Sequence, residues 1–296
     1  MSDASQRFLF ENADVRGEIV QLEQAFAAVR EHHDYPPAVA RLLGEAMAAA
    51  AVMCATIRSD GVLSLQVEGG EEAAVPMLLV QVDASEGTLR GTARYQGEPT
   101  RGGLAELCAG GRLAITIEPE EGQRYQGVVG LDDAGLAATL EGYFRDSEQL
   151  PTRLHLACDG QRAGALLLQR LPASGGTQPT EADPDAWDRI GYLAETLTDR
   201  ELLERPVNEV LHRLFHQETV RVFEPRALAF RCRCSAGRIA SILRSLGREE
   251  VEQVLAEEGV VEVRCQFCGA TYSYDRVDVA QALSDGNAAP GSDSYH

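Results

Sequence analysis

The chain has 296 residues, of which 44% are hydrophobic, and a formal net charge of −19 at pH 7. This size accommodates one large domain with smaller modules. The negative charge argues against DNA or RNA as a partner, since a phosphate backbone is bound by positively charged surface. The chain contains no lysine, which excludes Walker A phosphate binding and Schiff-base chemistry because both need lysine.

We expect a cytoplasmic protein without membrane contact. No charged segment followed by an apolar one opens the chain, as it would in a secretory signal. The most apolar run, residues 46–57, is shorter than the ~20 residues that cross a bilayer. In a reducing cytoplasm, clustered cysteines indicate metal binding or redox chemistry more often than a structural disulfide.

The chain begins with strand and helix patterns in alternation. Two short strands are predicted at residues 7–11 and 15–21, followed by a helix at 22–32. A longer helix is predicted to begin at Pro36-Pro37 and to end near residue 57, because proline in the first helical turn breaks no hydrogen bond.

Alternation of apolar and polar residues then predicts a series of strands that glycine-rich turns separate. A helix at residues 136–149 and a hairpin at 152–171 complete the region. Strands and helices without strict β-α-β repetition indicate an α+β domain, which we assign to residues 1–176. The predicted strands of the series are residues 62–67, 78–83, 88–95, 112–118 and 125–131.

An amphipathic helical linker is predicted for residues 177–231. The segment before it, residues 172–180, is rich in proline and glycine, a composition typical of connections. Thr198 and Glu201 form a capping box, and Pro206 begins a helix whose apolar residues recur at helical spacing. This apolar stripe consists of Val207, Val210, Leu211, Leu214 and Phe215.

Residues 232–283 are predicted to form a small separate domain, and residues 284–296 a disordered tail. Ser235 can cap a first helix, and a second helix ends at Gly259. Residues 260–274 are predicted to form a hairpin. A module of about fifty residues has a marginal hydrophobic core, so we expect a metal ion or a crosslink to stabilise it.

Two cysteine pairs frame this small domain: Cys232-Arg233-Cys234 and Cys265-Gln266-Phe267-Cys268. Two tight pairs at this separation can supply four thiolates to a tetrahedral zinc ion. Gly269 follows the second pair and lets the backbone turn back beneath the sulfurs. We predict one zinc ion bound by Cys232, Cys234, Cys265 and Cys268.

The same cysteines are compatible with a permanent structural zinc site, a zinc site that oxidation opens, or a thiol–disulfide enzyme. A structural zinc contributes roughly 10–16 kcal/mol in small modules, whereas a disulfide closing three or four residues contributes only ~1.5–2 kcal/mol. If each pair closed on itself, the domain would lose its metal and unfold, while a disulfide between the pairs would preserve more structure. The enzyme is disfavoured, because no helix directly follows Cys265 and Cys268 to lower a thiol pKa.

Three segments give the chain a resemblance to a known family. In their order and separation they cover nearly the whole chain, which resembles the thirty-three-kilodalton heat-shock chaperonin family, a redox-regulated bacterial holdase. The segments are Arg124-Tyr125-Gln126-Gly127-Val128-Val129-Gly130-Leu131, then Tyr143-Phe144 with Ser147-Glu148-Gln149-Leu150-Pro151-Thr152-Arg153, then the four cysteines.

The resemblance implies a chaperone rather than an enzyme, with a reduced, zinc-bound and inactive monomer. Oxidants such as hypochlorite would form the Cys232–Cys234 and Cys265–Cys268 disulfides and release zinc. The linker would then unfold, and the protein would dimerise and hold unfolding client proteins without ATP. The apolar stripe of the linker is the expected client contact. The alternatives are a thiol–disulfide oxidoreductase and a constitutive zinc-ribbon adaptor.

The remaining candidate ligands are interpreted as structural. His212 and His216 stand four apart on one helical face, but no third ligand lies nearby in the sequence. Cys54, Cys108 and Cys158 stand singly in apolar surroundings and are predicted to be small, inert core residues.

Overall fold

The computed structural model describes residues 3–56, 60–172, 183 and 185–284. They belong to two compact units, Met1–Arg231 and Cys232–His296. In chain order, the first unit contains β1 (Ala4–Phe10), β2 (Val15–Leu22), α1 (Gln24–Arg30), α2 (Pro37–Thr56), β3 (Gly61–Glu68), β4 (Met77–Asp83), β5 (Thr88–Arg94), α3 (Leu104–Leu107), β6 (Arg112–Pro119), β7 (Tyr125–Gly130), α4 (Leu136–Asp146), β8 (Thr152–Cys158), β9 (Ala163–Arg170), α5 (Ala186–Glu195), α6 (Asp199–Glu204), α7 (Val207–Phe215), β10 (Val220–Val222), β11 (Arg226–Ala227) and β12 (Ala229–Phe230).

Two six-stranded sheets form the frame of the first unit. The first sheet has the strand order β10-β1-β2-β9-β8, with β11 also paired to β1, and the second has the order β12-β5-β4-β3-β6-β7. Neighbouring strands run antiparallel except for β12 beside β5. The α+β fold class predicted from the sequence is confirmed.

Helix α2 is the centre of the larger core. Of its 20 residues, 15 are buried, because strands of both sheets pack against it. Small alanine side chains along its second half let those strands approach from several sides. By length and composition α2 could cross a membrane, yet 83% of its most apolar window is buried inside the protein. The apolar run seen in the sequence is thus part of a core helix that begins at Pro37.

The first sheet separates two hydrophobic cores. On β2, Val20 and Leu22 face the core around α2, whereas Val15 and Ile19 belong to a second core on the opposite face. Strand β9 divides in the same way, since successive side chains of a strand point to opposite faces. Both strands are therefore almost wholly buried.

The second core lies between the first sheet and helices α5, α6 and α7. Its centre is a cluster of three phenylalanine rings, in which the Phe215 centroid lies 5.0 Å from that of Phe10 and 6.0 Å from that of Phe8. The helices predicted as a linker are thus packed within the first unit. The predicted boundaries at residues 176 and 231 stay predictions, and residues 173–180 of the predicted connection lie outside the described residues.

Two helix ends differ from those predicted from the sequence. The Asp3 carboxylate accepts hydrogen bonds from the backbone N–H groups of Glu23, Gln24 and Ala25. Because these are the N–H groups that a helix start leaves free, α1 begins at Gln24 rather than at residue 22. Helix α4 ends at Asp146 rather than at residue 149. Gln149 has φ 56°, a left-handed conformation that ends a right-handed helix.

The second unit contains α8 (Ala236–Leu246), α9 (Arg248–Glu258), β13 (Val261–Arg264), β14 (Thr271–Tyr274) and α10 (Arg276–Ser284). Ser235 caps α8, and Gly259 ends α9 in a left-handed conformation, as predicted. Strands β13 and β14 form the predicted hairpin. Helices α3 and α10 were not predicted, and residues 285–296 of the predicted tail lie outside the described residues.

The close packing of β1 on β2 predicts the effect of a glycine substitution. Gly17 pairs with Phe8 across the strands, and a Cβ at Gly17 would lie 2.0 Å from the Phe8 ring. We expect Gly17→Ala to lower the free energy of unfolding by about 1–3 kcal/mol, because the ring must leave its place in the second core. Urea denaturation measures this change. Gly130→Ala on β7 is the control, since a Cβ there meets no atom within 4 Å; equal losses in both variants would contradict the prediction.

The half-buried carboxylate of Glu45 predicts a pH-dependent stability. Burial, and then the negative charge of Asp199, raise the pKa of Glu45 from 4.5 to about 7, while Arg41 lowers it. Because the folded-state pKa is the higher one, the folded protein binds more protons between these values, and stability is lost as the pH rises from about 4.5 to about 7. We expect Glu45→Gln to stabilise the reduced protein by roughly 2–3 kcal/mol above pH 7 and hardly at all near pH 4.5. Urea denaturation at both pH values tests this, and an equal effect at both would contradict it.

Candidate metal centre

The second cysteine pair lies in the turn of the β13–β14 hairpin. The Cys265 N–H donates to the carbonyl of Ala270 at 2.8 Å, and the Gly269 N–H donates to the carbonyl of Cys265 at 2.9 Å. Gly269 has φ 68°, a left-handed conformation that costs glycine little. This closed turn places the sulfurs of Cys265 and Cys268 on the same side, as the sequence predicted.

The first cysteine pair immediately precedes helix α8. Ser235, the residue after Cys234, accepts a hydrogen bond from the Arg238 N–H at 3.3 Å and caps the helix. The cap fixes the direction in which the chain enters α8, and with it the position of Cys234.

The sulfur atoms of all four cysteines lie close together. Each lies within 4.8 Å of the others, and none is in a disulfide. The Cys232 and Cys265 sulfurs are 3.6 Å apart, and those of Cys234 and Cys268 are 3.4 Å apart. Tetrahedral coordination at a metal–sulfur distance of ~2.3 Å requires sulfurs about 3.8 Å apart. Four half-buried thiols at these separations fit a thiophilic ion such as zinc.

Two tyrosines on β14 connect the hairpin to the first cysteine pair. The Tyr272 hydroxyl donates to the Cys234 sulfur at 3.1 Å, and the Tyr274 hydroxyl donates to the carbonyl of Ala236 at 2.9 Å. Their alternate positions on the strand put both side chains on one face. The sequence interpretation missed both residues, although a tyrosine four positions after Cys268 was a readable signal.

The thiols of the cluster differ in acidity. Burial alone would raise the pKa of Cys234, but hydrogen bonds from Tyr272 and the other cysteines lower it to about 7. Burial raises the pKa of Cys268 to about 12, and its contacts with the other thiols act in the same direction. Cys234 therefore becomes a thiolate, the form that binds metal and attacks oxidants, more readily than Cys268 does.

The hydrophobic core of the second unit is small. Two helices and the hairpin contribute most of its buried side chains, with Val279 added from α10. A core of this size gives marginal stability, so an ion held by four thiolates would supply much of the free energy of folding. The other buried members are Ile239, Leu243, Val251, Leu255, Val261 and Tyr274.

The three remaining cysteines are core residues, as predicted, and their inertness stays a prediction. Cys54 and Cys108 are buried and Cys158 is half-buried. Burial raises the pKa of Cys54 and of Cys108 to about 11 and that of Cys158 to about 12. All three stay protonated at neutral pH, and we expect them to react slowly with oxidants.

The histidine pair forms no metal site of three or more ligands. His212 on α7 and His216, which directly follows the helix, are both exposed, with ring centroids 5.9 Å apart. Within the described part of the chain, the only group of three or more metal-binding side chains is that of Cys232, Cys234, Cys265 and Cys268.

The predicted client-binding stripe lies inside the second core. Its members pack against Phe8, Phe10 and their neighbours on the first sheet. The stripe could contact another protein only after α7 leaves the sheet, so its role stays a prediction. Val210, Leu211, Leu214 and Phe215 are buried, and Val207 is half-buried.

Comparisons with known proteins agree with one another. A family model described as "Hsp33 protein" matches residues 3–275. The 33 kDa chaperonin of Pseudomonas paraeruginosa is 47% identical over 298 residues, which cover 100% of this chain and 99% of the relative. The 33 kDa chaperonin of Pseudomonas syringae pv. tomato is 47% identical over 297 residues, which cover 99% and 98%.

The fold also matches a solved structure. The crystal structure of a 33 kDa chaperonin, a heat shock protein 33 homologue from Thermotoga maritima, aligns with a TM-score of 0.79 at 20% identity. The alignment covers 96% of this chain and 98% of the other.

The geometry of the four thiols predicts metal binding that spectroscopy can follow. We expect the reduced, metal-free protein to bind one cobalt(II) ion per chain with the intense absorption of a tetrahedral thiolate complex, because all four sulfurs already converge. We expect Cys265→Ser to weaken or abolish this absorption. Cys108→Ala is the control, and an equal loss of cobalt binding in that variant would contradict the assignment.

Proposed function

The chain belongs to the Hsp33 protein family, and we propose that it is a redox-regulated, ATP-independent chaperone that binds unfolding proteins under oxidative stress. The observation that carries the proposal is the convergence of four free thiols from two short cysteine pairs. In the reduced state Cys232, Cys234, Cys265 and Cys268 hold one zinc ion, and the protein is an inactive monomer in the cytoplasm. Zinc bound there links the two halves of the second unit.

Oxidation joins the cysteines into two disulfides, Cys232–Cys234 and Cys265–Cys268. Each sulfur–sulfur bond forms as two thiolates lose two electrons in total. One hypochlorous acid accepts these two electrons and is reduced to chloride and hydroxide. Since both disulfides consume thiolates, all four metal ligands are lost together.

Disulfides within each cysteine pair compete with disulfides that join one pair to the other. In the reduced geometry, sulfurs of different segments already lie 3.6 Å and 3.4 Å apart. Once the ligands begin to oxidise, the two halves of the unit are free to separate, whereas neighbouring cysteines stay close because the chain joins them. Pairing within each segment is therefore the outcome we propose.

The energetic balance favours unfolding of the second unit after oxidation. A structural zinc contributes roughly 10–16 kcal/mol, and each short disulfide returns only ~1.5–2 kcal/mol. The small core of the second unit cannot replace the difference.

Activation then requires the linker helices to leave the first sheet. Their departure exposes the stripe of α7 and the face of the sheet that carries Phe8, Phe10 and Ile19. Exposed apolar surface of this kind binds apolar segments of unfolding proteins, and it also promotes homodimer formation. The net charge of −19 keeps such complexes soluble.

The decisive experiment follows zinc and chaperone activity in one sample. We expect hypochlorite to release zinc from the reduced protein, measured with a chromogenic chelator, and to produce suppression of aggregation of a heat-denatured client. Zinc retention would favour a constitutive zinc-ribbon adaptor, and turnover of a dithiol substrate would favour an oxidoreductase. Zinc release without suppressed aggregation would also contradict the proposal.

Cysteine variants separate the switch from the fold. We expect Cys232→Ser to abolish regulated activation, because neither the complete metal site nor the first disulfide can form. The circular dichroism of the first unit should change little. Cys108→Ala should respond to hypochlorite as the wild type does, and mass spectrometry of the oxidised wild type should identify the two short disulfides. Disulfides between the segments would overturn the proposed pairing.

A further inference from the structure

Helix α5 is weakly held by hydrophobic packing. Its buried residues are Ala186, Ile190, Gly191 and Ala194, so only one large side chain anchors it fully. Helix α7, by contrast, buries four large residues in the same core. Since buried apolar area sets most of the packing energy, α5 needs another source of attachment.

A cavity of about 230 Å³ lies where α5 meets β8 and β9. Its walls include Leu166 and Leu168 of the first sheet and Gly191 and Ala194 of α5. The helix is therefore incompletely packed against the sheet at this place, and its position depends more strongly on the polar contacts at the rim.

Arg153 on β8 supplies those contacts. Its guanidinium lies over two aromatic rings of α5, 5.6 Å from the centroid of Trp187 and 5.8 Å from that of Tyr192. It also pairs with the Glu195 carboxylate and lies 3.8 Å from that of Asp188. The Arg153 side chain is only 28% exposed, so these contacts are partly shielded from water.

The sequence of α5 is arranged around this one side chain. Trp187, Asp188, Gly191, Tyr192 and Glu195 recur at spacings of three and four residues, which puts them on one side of the helix. A Cβ at Gly191 would lie 2.4 Å from the Arg153 guanidinium carbon. The absence of a side chain at this position is what lets the guanidinium reach its partners.

Arg153 also offsets a concentration of negative charge. Glu141 of α4 lines the same cavity, and its carboxylate accepts a hydrogen bond from the Leu154 N–H at 2.7 Å. Glu141, Asp188 and Glu195 thus surround one arginine in a protein of net charge −19. Without that arginine, the carboxylates of α4 and α5 would repel one another.

We propose that Arg153 is a positioning residue that latches α5 onto the first sheet and so holds the linker in its inactive arrangement. The regulatory part of this inference rests on the proposed function, because release of α5 would begin the release of the linker helices from the sheet. The latch itself concerns the reduced protein and can be measured without any client.

The single tryptophan of the chain, Trp187, reports directly on the latch. In the reduced, zinc-loaded protein, we expect Arg153→Gln to raise acrylamide quenching of Trp187 fluorescence about twofold or more. We also expect hydrogen exchange of the α5 amides to accelerate about tenfold, the size expected for two cation–π contacts and partly exposed ion pairs lost together. Arg153→Lys, which keeps the charge but loses the planar fork, should give an intermediate effect.

A second variant is expected to destabilise α5, although the same type of substitution usually stabilises a helix. Glycine to alanine inside a helix normally stabilises that helix. Gly191→Ala should nevertheless increase quenching and exchange in α5, because the new Cβ displaces the Arg153 guanidinium. Slower exchange of α5 in this variant would overturn the latch.

Arg112→Gln is the matched control. Arg112 on β6 pairs with Glu68 at 2.6 Å in a more exposed ion pair away from α5, so its loss should leave Trp187 quenching unchanged. If Arg153→Gln leaves α5 as protected as in the wild type, the latch is wrong.

The client assay tests the consequence separately. We expect reduced Arg153→Gln to suppress client aggregation after a smaller dose of hypochlorite than the wild type needs. If α5 loosens in Arg153→Gln while oxidised wild type holds no client, the proposed function fails and the latch stands. If oxidised wild type holds clients and Arg153→Gln requires the wild-type dose, α5 does not control activation and the latch has no regulatory role.

Discussion

The burial of both faces of the first sheet is the constraint on which the first unit depends. Strands β2 and β9 each send alternate side chains into two different cores. The core around α2 is the more stable one, because it is large and encloses a helix that is buried along most of its length. The second core is closed only by three short helices. A protein built in this way can open one face of a sheet while the other face keeps its fold, which is the property that a conditional binding surface requires.

The second unit has a different constraint, since its own hydrophobic core is small and gives only marginal stability. Its four thiols come from two segments 31 positions apart at their nearer ends, Cys234 and Cys265, and the hydroxyls of Tyr272 and Tyr274 reinforce the same connection. Stability concentrated in one small group of sulfurs can be removed by one chemical event. Stability distributed over many apolar contacts cannot, and the three cysteines of the first unit lie among such contacts.

The second unit thus depends on one cluster of four thiols, and the first unit contains a helix that hydrophobic packing holds only weakly. Helix α5 has few large buried residues, a cavity beside it, and one arginine of the first sheet, Arg153, that contacts several of its side chains. Weak attachment of this kind is a disadvantage in a purely structural helix. Under the proposed mechanism, the weak attachment of α5 lowers the free energy that release of the linker requires, and the more strongly buried α7 is exposed later.

The sequence by itself determined the α+β class, most of the strands and the four-cysteine cluster, because period-two patterns, glycine turns and paired cysteines are local signals. It also identified the apolar stripe of α7, since helical spacing is local too. Only the tertiary structure decided which of the two cores each apolar residue enters, that Asp3 sets the start of α1, and that Tyr272 contacts Cys234. It alone placed Arg153 between Trp187 and Tyr192, which are 34 and 39 positions further along the chain. Contacts between residues far apart in sequence leave no periodic signal, so they become visible only when the chain is folded.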